Sequence, residues 1–372
     1  MVNVSKTTLS LAVAMALTTQ MSVAAPQQPT TQLEALTFKA DRMGAKNSTD
    51  VVTLREKDES TATDLRSLLQ DEPAIDFGGG NGTSQFVSIR GMGHNAIDLK
   101  IDNAYQDGQL HYHQGRFMLD PQMVKVVSVQ KGAGFASAGI GATNGAIVTK
   151  TLDAEELLRN SDKDYGFKVG AGLSTNKGHS YHGSAFGKVQ TGFGQVDALV
   201  SYNKVDDSNY KDGSGREIEY SALDKKSYLA KVGVNLGDHR LALSHLQESH
   251  KGVRPVREEF VNFGPRQSPQ QRDTYQKLTN LEWTGKNLGF ANKAVANVYR
   301  LEHGRDSQSD LGNTYVTNDS PEATDRQLAD TPSNMHISAK GANLNFDTEF
   351  DHSLLKGFGV DHTLLKYGIN YR

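Results

Sequence analysis

The sequence predicts a compact α+β domain over residues 50–160, followed over residues 161–372 by the first part of an antiparallel transmembrane β-barrel. Three observations carry this expectation. The N-terminus reads as an export signal, residues 50–151 mix one short amphipathic helix with short strands, and beyond residue 164 apolar side chains recur with a period of two.

Lys6 precedes the apolar run LSLAVAMAL (9–17), and the small residues Ser22, Ala24 and Ala25 follow, as in a secretory signal peptide cleaved after Ala24. Residues 1–24 are therefore expected to be removed. No later stretch reaches the roughly 18 consecutive apolar residues of a membrane-spanning helix, so the exported chain is either soluble or a β-barrel. A formal net charge of −3 lacks the basic excess of a nucleic-acid binder, and the absence of cysteine excludes a disulfide scaffold.

Residues 25–49 begin as a polar, Pro-containing tail, PQQPTTQ (26–32). LEALTFKAD (33–41) follows as a short extended patch, suited to a docking peptide or to an edge strand. In TATDLRSLLQDEP, Thr63 or Asp64 caps a helix that places Leu65, Leu68 and Leu69 on one face and closes at Pro73. FVSIR, IDLKID (97–102) and VKVVSVQ (124–130) supply a sheet for that helix to pack on. The stretch 126–151 reads as strand, compact Gly-rich turns and strand; FVSIR ends on Arg90 and two glycines.

In YGFKVGAGLS, Phe167, Val169, Ala171 and Leu173 alternate with small or polar residues, and the same period returns around 196–202, 228–234 and 342–346. Strands near 239–248, 275–284 and 292–301 complete a count of about nine. Short turns at 190–194, 237–238 and 286–289 alternate with long polar loops at 206–226, 250–274 and 302–334. That parity is the wiring of a transmembrane barrel, with short turns on one side and longer loops on the other. An odd strand count, and an end inside a strand at LLKYGINYR, predict the N-terminal portion of a longer barrel, since open edges in lipid leave backbone groups unpaired.

With residues 33–41, 64–93 and 126–151 in order, the chain resembles the TonB-dependent outer-membrane receptors, and in particular the FrpB/FetA type of iron-regulated receptor. VTLREKDESTATDLRSLL, EPAIDFGGGNGTSQF, YHQGRF, VKVVSVQKGAG, ASAGIGATNGAI and YSALDKKSYLAK carry the likeness. The resemblance implies a plug domain followed by a barrel that in full has about 22 strands. It implies a receptor, not an enzyme, that binds a ferric siderophore outside a Gram-negative cell and imports it into the periplasm. TonB and its inner-membrane energising complex would be the partner, and no cofactor is required. The TonB box would be Ala35, Leu36, Thr37, Phe38, Lys39 and Ala40, pairing as an added strand. A haem or haemoprotein receptor of the same fold is the alternative within transport, and a passive porin or surface adhesin the alternative outside it.

GAGFASAG follows a strand as a dinucleotide fingerprint would, but the glycines of GIGATNGAI leave no helix after it. FGGGNG lacks the Lys and Ser/Thr of a phosphate loop; its glycines suit tight turns or close contact with a ligand. The chemically dense segment is DNAYQDGQLHYHQGRF, whose candidate ligand contacts are Tyr105, His111, Tyr112, His113 and Arg116. Ferric iron is a hard cation suited by phenolate oxygen and accepted by imidazole, so Tyr112 and His113 form a transient Fe(III) site if this loop faces outward. The other reading is a solvated loop whose aromatic residues pack on the barrel wall. Arg90 and Lys131 are expected to tether plug to barrel. Lys251, Arg254 and Arg257 either attract an anionic ferric siderophore or are solvated loop charges. Outer-membrane lipid is the expected surround.

Overall fold

The computed structural model describes residues 48–52, 62–69, 71–78, 86–93, 96–106, 118–132, 144–254, 270–308, 334–351 and 362–372. These lie in one compact unit, Asn47–Arg372; the export signal and the 35–40 peptide lie outside the described residues.

The α+β region is a five-stranded sheet in the order β1-β6-β7-β4-β5, from β1 (Ser48–Val52), β4 (Ile97–Ile101), β5 (Ala104–Tyr105), β6 (Val124–Lys131) and β7 (Gly145–Thr151). β4 and β7 run parallel and the other neighbours antiparallel. Helix α1 (Leu65–Leu69) buries Leu65, Leu68 and Leu69, as its spacing predicts, and the Asp64 carboxylate accepts the Ser67 amide at 2.7 Å as an N-cap. A separate hairpin joins β2 (Ile75–Gly78) to β3 (Phe86–Ile89). Gly145, where the Gly-rich stretch re-enters the sheet, has φ +152, and a Cβ there would lie 2.3 Å from the Gln130 carbonyl oxygen. Glycine is required at that position by space as well as by conformation. A second short helix, α2 (Ala154–Leu157), is capped by Asp153 and leads to the barrel strands.

Nine antiparallel strands follow in strict sequence order: β8 (Tyr165–Leu173), β9 (His179–Thr191), β10 (Gly194–Asp207), β11 (Leu223–Leu236), β12 (His239–Arg254), β13 (Gln270–Lys286), β14 (Lys293–Gln308), β15 (Met335–Asp351) and β16 (His362–Tyr371). Their burial is inverted relative to a soluble sheet. Phe167 is 75% exposed and Leu173 92%, whereas Ser227, Asn280 and Gln276 are buried to 1% or less. Apolar groups out and polar groups in is the pattern of a barrel wall facing lipid and a polar interior.

Several strands run farther than their alternation indicated. β12, β13 and β14 extend to Arg254, Gln270 and Gln308 at the long-loop end. There the outward positions are Ser249, Lys251, Asp273 and Asp306, so the two-residue period continues while its apolar signal has stopped. Lys251 and Arg254 accordingly belong to a strand, not to a loop. Lys251 pairs with Asp273 at 2.8 Å, and buried Arg254 donates to the carbonyls of Tyr220 and Ala222, holding the end of the 208–222 connection. Arg257 lies outside the described residues.

Candidate functional site

The seam between the α+β domain and the inner face of the strands holds a set of paired buried charges. At its middle is an apolar row, Leu229, Leu246, Leu278 and Leu301, side by side on β11 to β14 and packed into the same core as Leu65, Ile101, Leu119 and Met123 of the domain. Toward the short turns, polar groups grip the tight turn between β4 and β5. Asp102 and Asn103 there adopt φ +47 and +64, a left-handed pair that Asp and Asn tolerate better than most residues.

Each main-chain carbonyl of that turn is held by a wall asparagine. Asn280 donates to Asp102 O at 2.9 Å and Asn343 to Asn103 O at 2.8 Å. Asn297 links the two, donating to Asn280 at 2.9 Å and accepting from Asn343 at 3.0 Å, so three adjacent strands form one amide chain. The side chains are held as well. The Asp102 carboxylate accepts the Thr151 amide at 3.0 Å and the Thr151 hydroxyl, and lies 3.5 Å from Lys231 Nζ of β11. Glu282 of β13 accepts from Asn103 at 2.5 Å and pairs with Lys150 at 3.2 Å.

A second grip lies at the 3-10 turn Pro121–Met123. Its cap, Asp120, accepts the Gln122 amide at 2.9 Å and the Asn203 side chain at 2.7 Å, and stands 3.4 Å from Lys225 of β11. Lys225 also donates to the Thr63 carbonyl ahead of α1. A third, Glu155 of α2 with Arg240 at 3.1 Å, is half exposed and correspondingly screened.

Burial alone would raise the Asp102 carboxyl, but Lys231 and Lys150, with the two Thr151 hydrogen bonds, hold it down at about 2. Asp120 is lowered in the same manner: burial opposes ionisation, and Lys225, Asn203 and Ser227 overcome it. Burial disfavours the Lys150 cation, yet Glu282 and Asp102 raise it above its ordinary value. The exception is Lys100, which burial and the nearby Lys150 and Arg372 push down to about 8. Asp102, Asp120 and Lys150 are therefore held in their charged forms at neutral pH. Removing one partner of such a pair is costly, because it leaves the other charge buried and uncompensated.

Of the residues singled out in the sequence, Arg90, Tyr105 and Lys131 are among the described residues. Arg90 is exposed, and its guanidinium lies beside Gly132; Lys131 pairs with Glu72 at 2.5 Å, so the described contacts of both lie within the α+β domain. Wall contacts come instead from Asp102, Asn103, Asp120, Lys150 and Glu155. Tyr105, expected to face ligand, is fully buried between Lys100 Nζ, 4.5 Å from its ring centroid, and the Arg372 guanidinium at 3.7 Å. His111, Tyr112, His113 and Arg116 lie outside the described residues, as does the 35–40 peptide. Among the described residues no group of three or more His, Asp or Glu is arranged to hold a metal ion. The wall asparagines and lysines carry no signal in the sequence, because an inward polar residue on a strand looks alike whether it faces water or a partner.

Comparison with known proteins agrees with this architecture. The family described as TonB-dependent Receptor Plug Domain matches residues 41–146. The FrpB iron transporter from Neisseria meningitidis superposes with a TM-score of 0.74 at 50% sequence identity, over 87% of this chain and 48% of that one. Heme transporter BhuA of Brucella suis is 27% identical over 236 residues, 63% of this chain and 34% of that protein. Heme/hemopexin utilization protein C of Haemophilus influenzae is 25% identical over 337 residues, 81% of this chain and 44% of that protein. The chain thus spans less than half the length of each of these relatives. It belongs to the TonB-dependent receptors, of the FrpB type, and covers their plug and the first strands of their barrel.

Proposed function

We propose that this chain is part of an outer-membrane receptor that binds a ferric siderophore outside the cell and releases it into the periplasm when TonB pulls on the peptide 35–40. The observation that carries the reading is the 50% identity to a protein described as an iron transporter, spread over 87% of this chain. The inverted burial of β8 to β16 supports a membrane barrel, and the ion pairs and hydrogen bonds along the seam support a plug seated against its wall. In this reading His111, Tyr112, His113 and Arg116 meet the ligand, with Tyr112 and His113 offering oxygen and nitrogen to Fe(III) as cargo. Residues 1–24 direct export, 25–49 carry the TonB box, 50–160 form the plug and 161–372 begin the barrel.

A haem receptor is the second reading, favoured by the names of the Brucella and Haemophilus relatives at 25–27% identity. Binding of the purified full-length receptor to a panel of ferric siderophores, haem and haemopexin separates the two. Saturable binding of a ferric siderophore with none of haem is the expected result; saturable haem binding alone would replace the first reading with the second.

A further inference from the structure

Cross-strand register defines how the outer face of the wall meets the membrane. One row of directly paired, outward residues, Tyr165, Gly187, Ala198, Val232, Leu243, Leu281, Val298, Ala342 and Tyr371, is apolar or glycine from β8 to β16. The next row toward the long loops starts apolar, with Phe167, Ala185, Val200 and Ala230, then turns polar with His245 and Thr279 and ends on Arg300 and Lys340. The row above that runs from Val169, Tyr202 and Tyr228 to Gln247, Lys277, Glu302 and Ser338. Rows that leave the apolar band one after another are what strand tilt produces, since paired residues climb relative to the membrane plane from strand to strand. Arg300 and Lys340 stand where their row emerges from the hydrocarbon, directly above Val298 and Ala342.

Two cations directly opposite one another on adjacent strands repel. Arg300 is 60% exposed and has Glu302 beside it at 2.5 Å, but Lys340 is exposed with no ion pair to a described residue, and Lys277 adds a third cation one row higher. Thr279 and Ser338 supply hydroxyls on either flank. On the far side Tyr275 and His336, hydrogen-bonded at 3.1 Å across Gly304, form an amphipathic cover of the kind found at headgroup level. We propose that Arg300 and Lys340 bind the phosphate of an anionic outer-leaflet lipid whose acyl chains lie on Leu281, Val298 and Ala342. The phosphate would bridge the two cations and turn a repulsive cross-strand pair into an attractive one. This site rests on the outer-membrane reading above.

The test titrates detergent-purified full-length receptor with phosphatidic acid, phosphatidylcholine and inorganic phosphate, with bound lipid counted by native mass spectrometry. A basic side chain near a lipid surface contributes about a five-fold change in affinity, so Arg300→Ala/Lys340→Ala should weaken phosphatidic acid binding about 30-fold and Lys340→Gln alone about five-fold. Lys211→Ala, in the 208–222 connection, should leave it unchanged. Phosphatidylcholine bound as tightly as phosphatidic acid, inorganic phosphate displacing the lipid at equal concentration, or undiminished binding in a double variant that still binds its iron ligand would each overturn the site. Fractionation of the receptor away from the outer membrane would instead refute the localisation while leaving the measured lipid affinity standing.

Discussion

Replacing Lys231 with Met should loosen the plug at the wall. The Met side chain keeps most of the lysine's volume but leaves the Asp102 carboxylate buried beside Thr151 without its nearest cation. That carboxyl sits at about 2 against an ordinary 3.8, equivalent to roughly 2 kcal/mol of stabilisation of its charged form. Truncating one partner of a buried pair costs about 3–5 kcal/mol, and most of that should return when the orphaned charge is removed too. Urea unfolding of the full-length receptor, read at the plug by tryptic protection, should therefore show Lys231→Met destabilised by about 3 kcal/mol and Asp102→Asn/Lys231→Met by about 1 kcal/mol. The pH dependence follows the same sign. A depressed carboxyl contributes stability that is complete above its ordinary value and is lost as pH falls through about 2, so Lys231→Met should move the acid limb upward. Additive single and double variants, with a coupling below about 0.5 kcal/mol, would refute the claim that this pair holds the plug.

Three further outcomes are expected. Leu36→Pro or Phe38→Pro, each placing an imino acid in a peptide that must pair as a strand, should abolish energised uptake and leave ligand binding intact; normal uptake would remove the assignment of 35–40. His111→Ala/His113→Ala should lower the iron stoichiometry of the purified full-length receptor, and an unchanged stoichiometry would sink the Fe(III) contact. Lys100, held at about 8 by burial and by Lys150 and Arg372, carries its proton more readily when unfolded. Plug stability should therefore rise with pH between about 8 and 10.5, and Lys100→Met should flatten that rise; an unaltered slope would show that Lys100 is not its source.

Much of the fold was legible because its signals are local. Leu65, Leu68 and Leu69 specify a helix face by spacing, and Phe167, Val169 and Leu173 a strand face by alternation. The alternation of short and long connections told a barrel from a sandwich. What stayed hidden depends on pairing across the chain. Asn280, Asn297 and Asn343 are 17 and 46 residues apart, and each alone is an ordinary inward polar residue. Only strand register and the left-handed Asp102–Asn103 turn show that they form one chain ending on two plug carbonyls. The charge of Arg90 and Lys131 suits a tether to a polar wall, whereas Glu72 pairs with Lys131 inside the plug. The polar company Tyr105 keeps in sequence suggests a ligand contact, but a strand end two residues past a tight turn points it into the core.

The central claim, that pulling by TonB opens this plug to admit iron, is tested most directly by growth of a deletion strain carrying the full-length receptor on a single ferric siderophore, with and without active TonB. The account predicts growth only when TonB is active, and loss of that growth in the Phe38→Pro variant. Uptake that proceeds equally without TonB would contradict it.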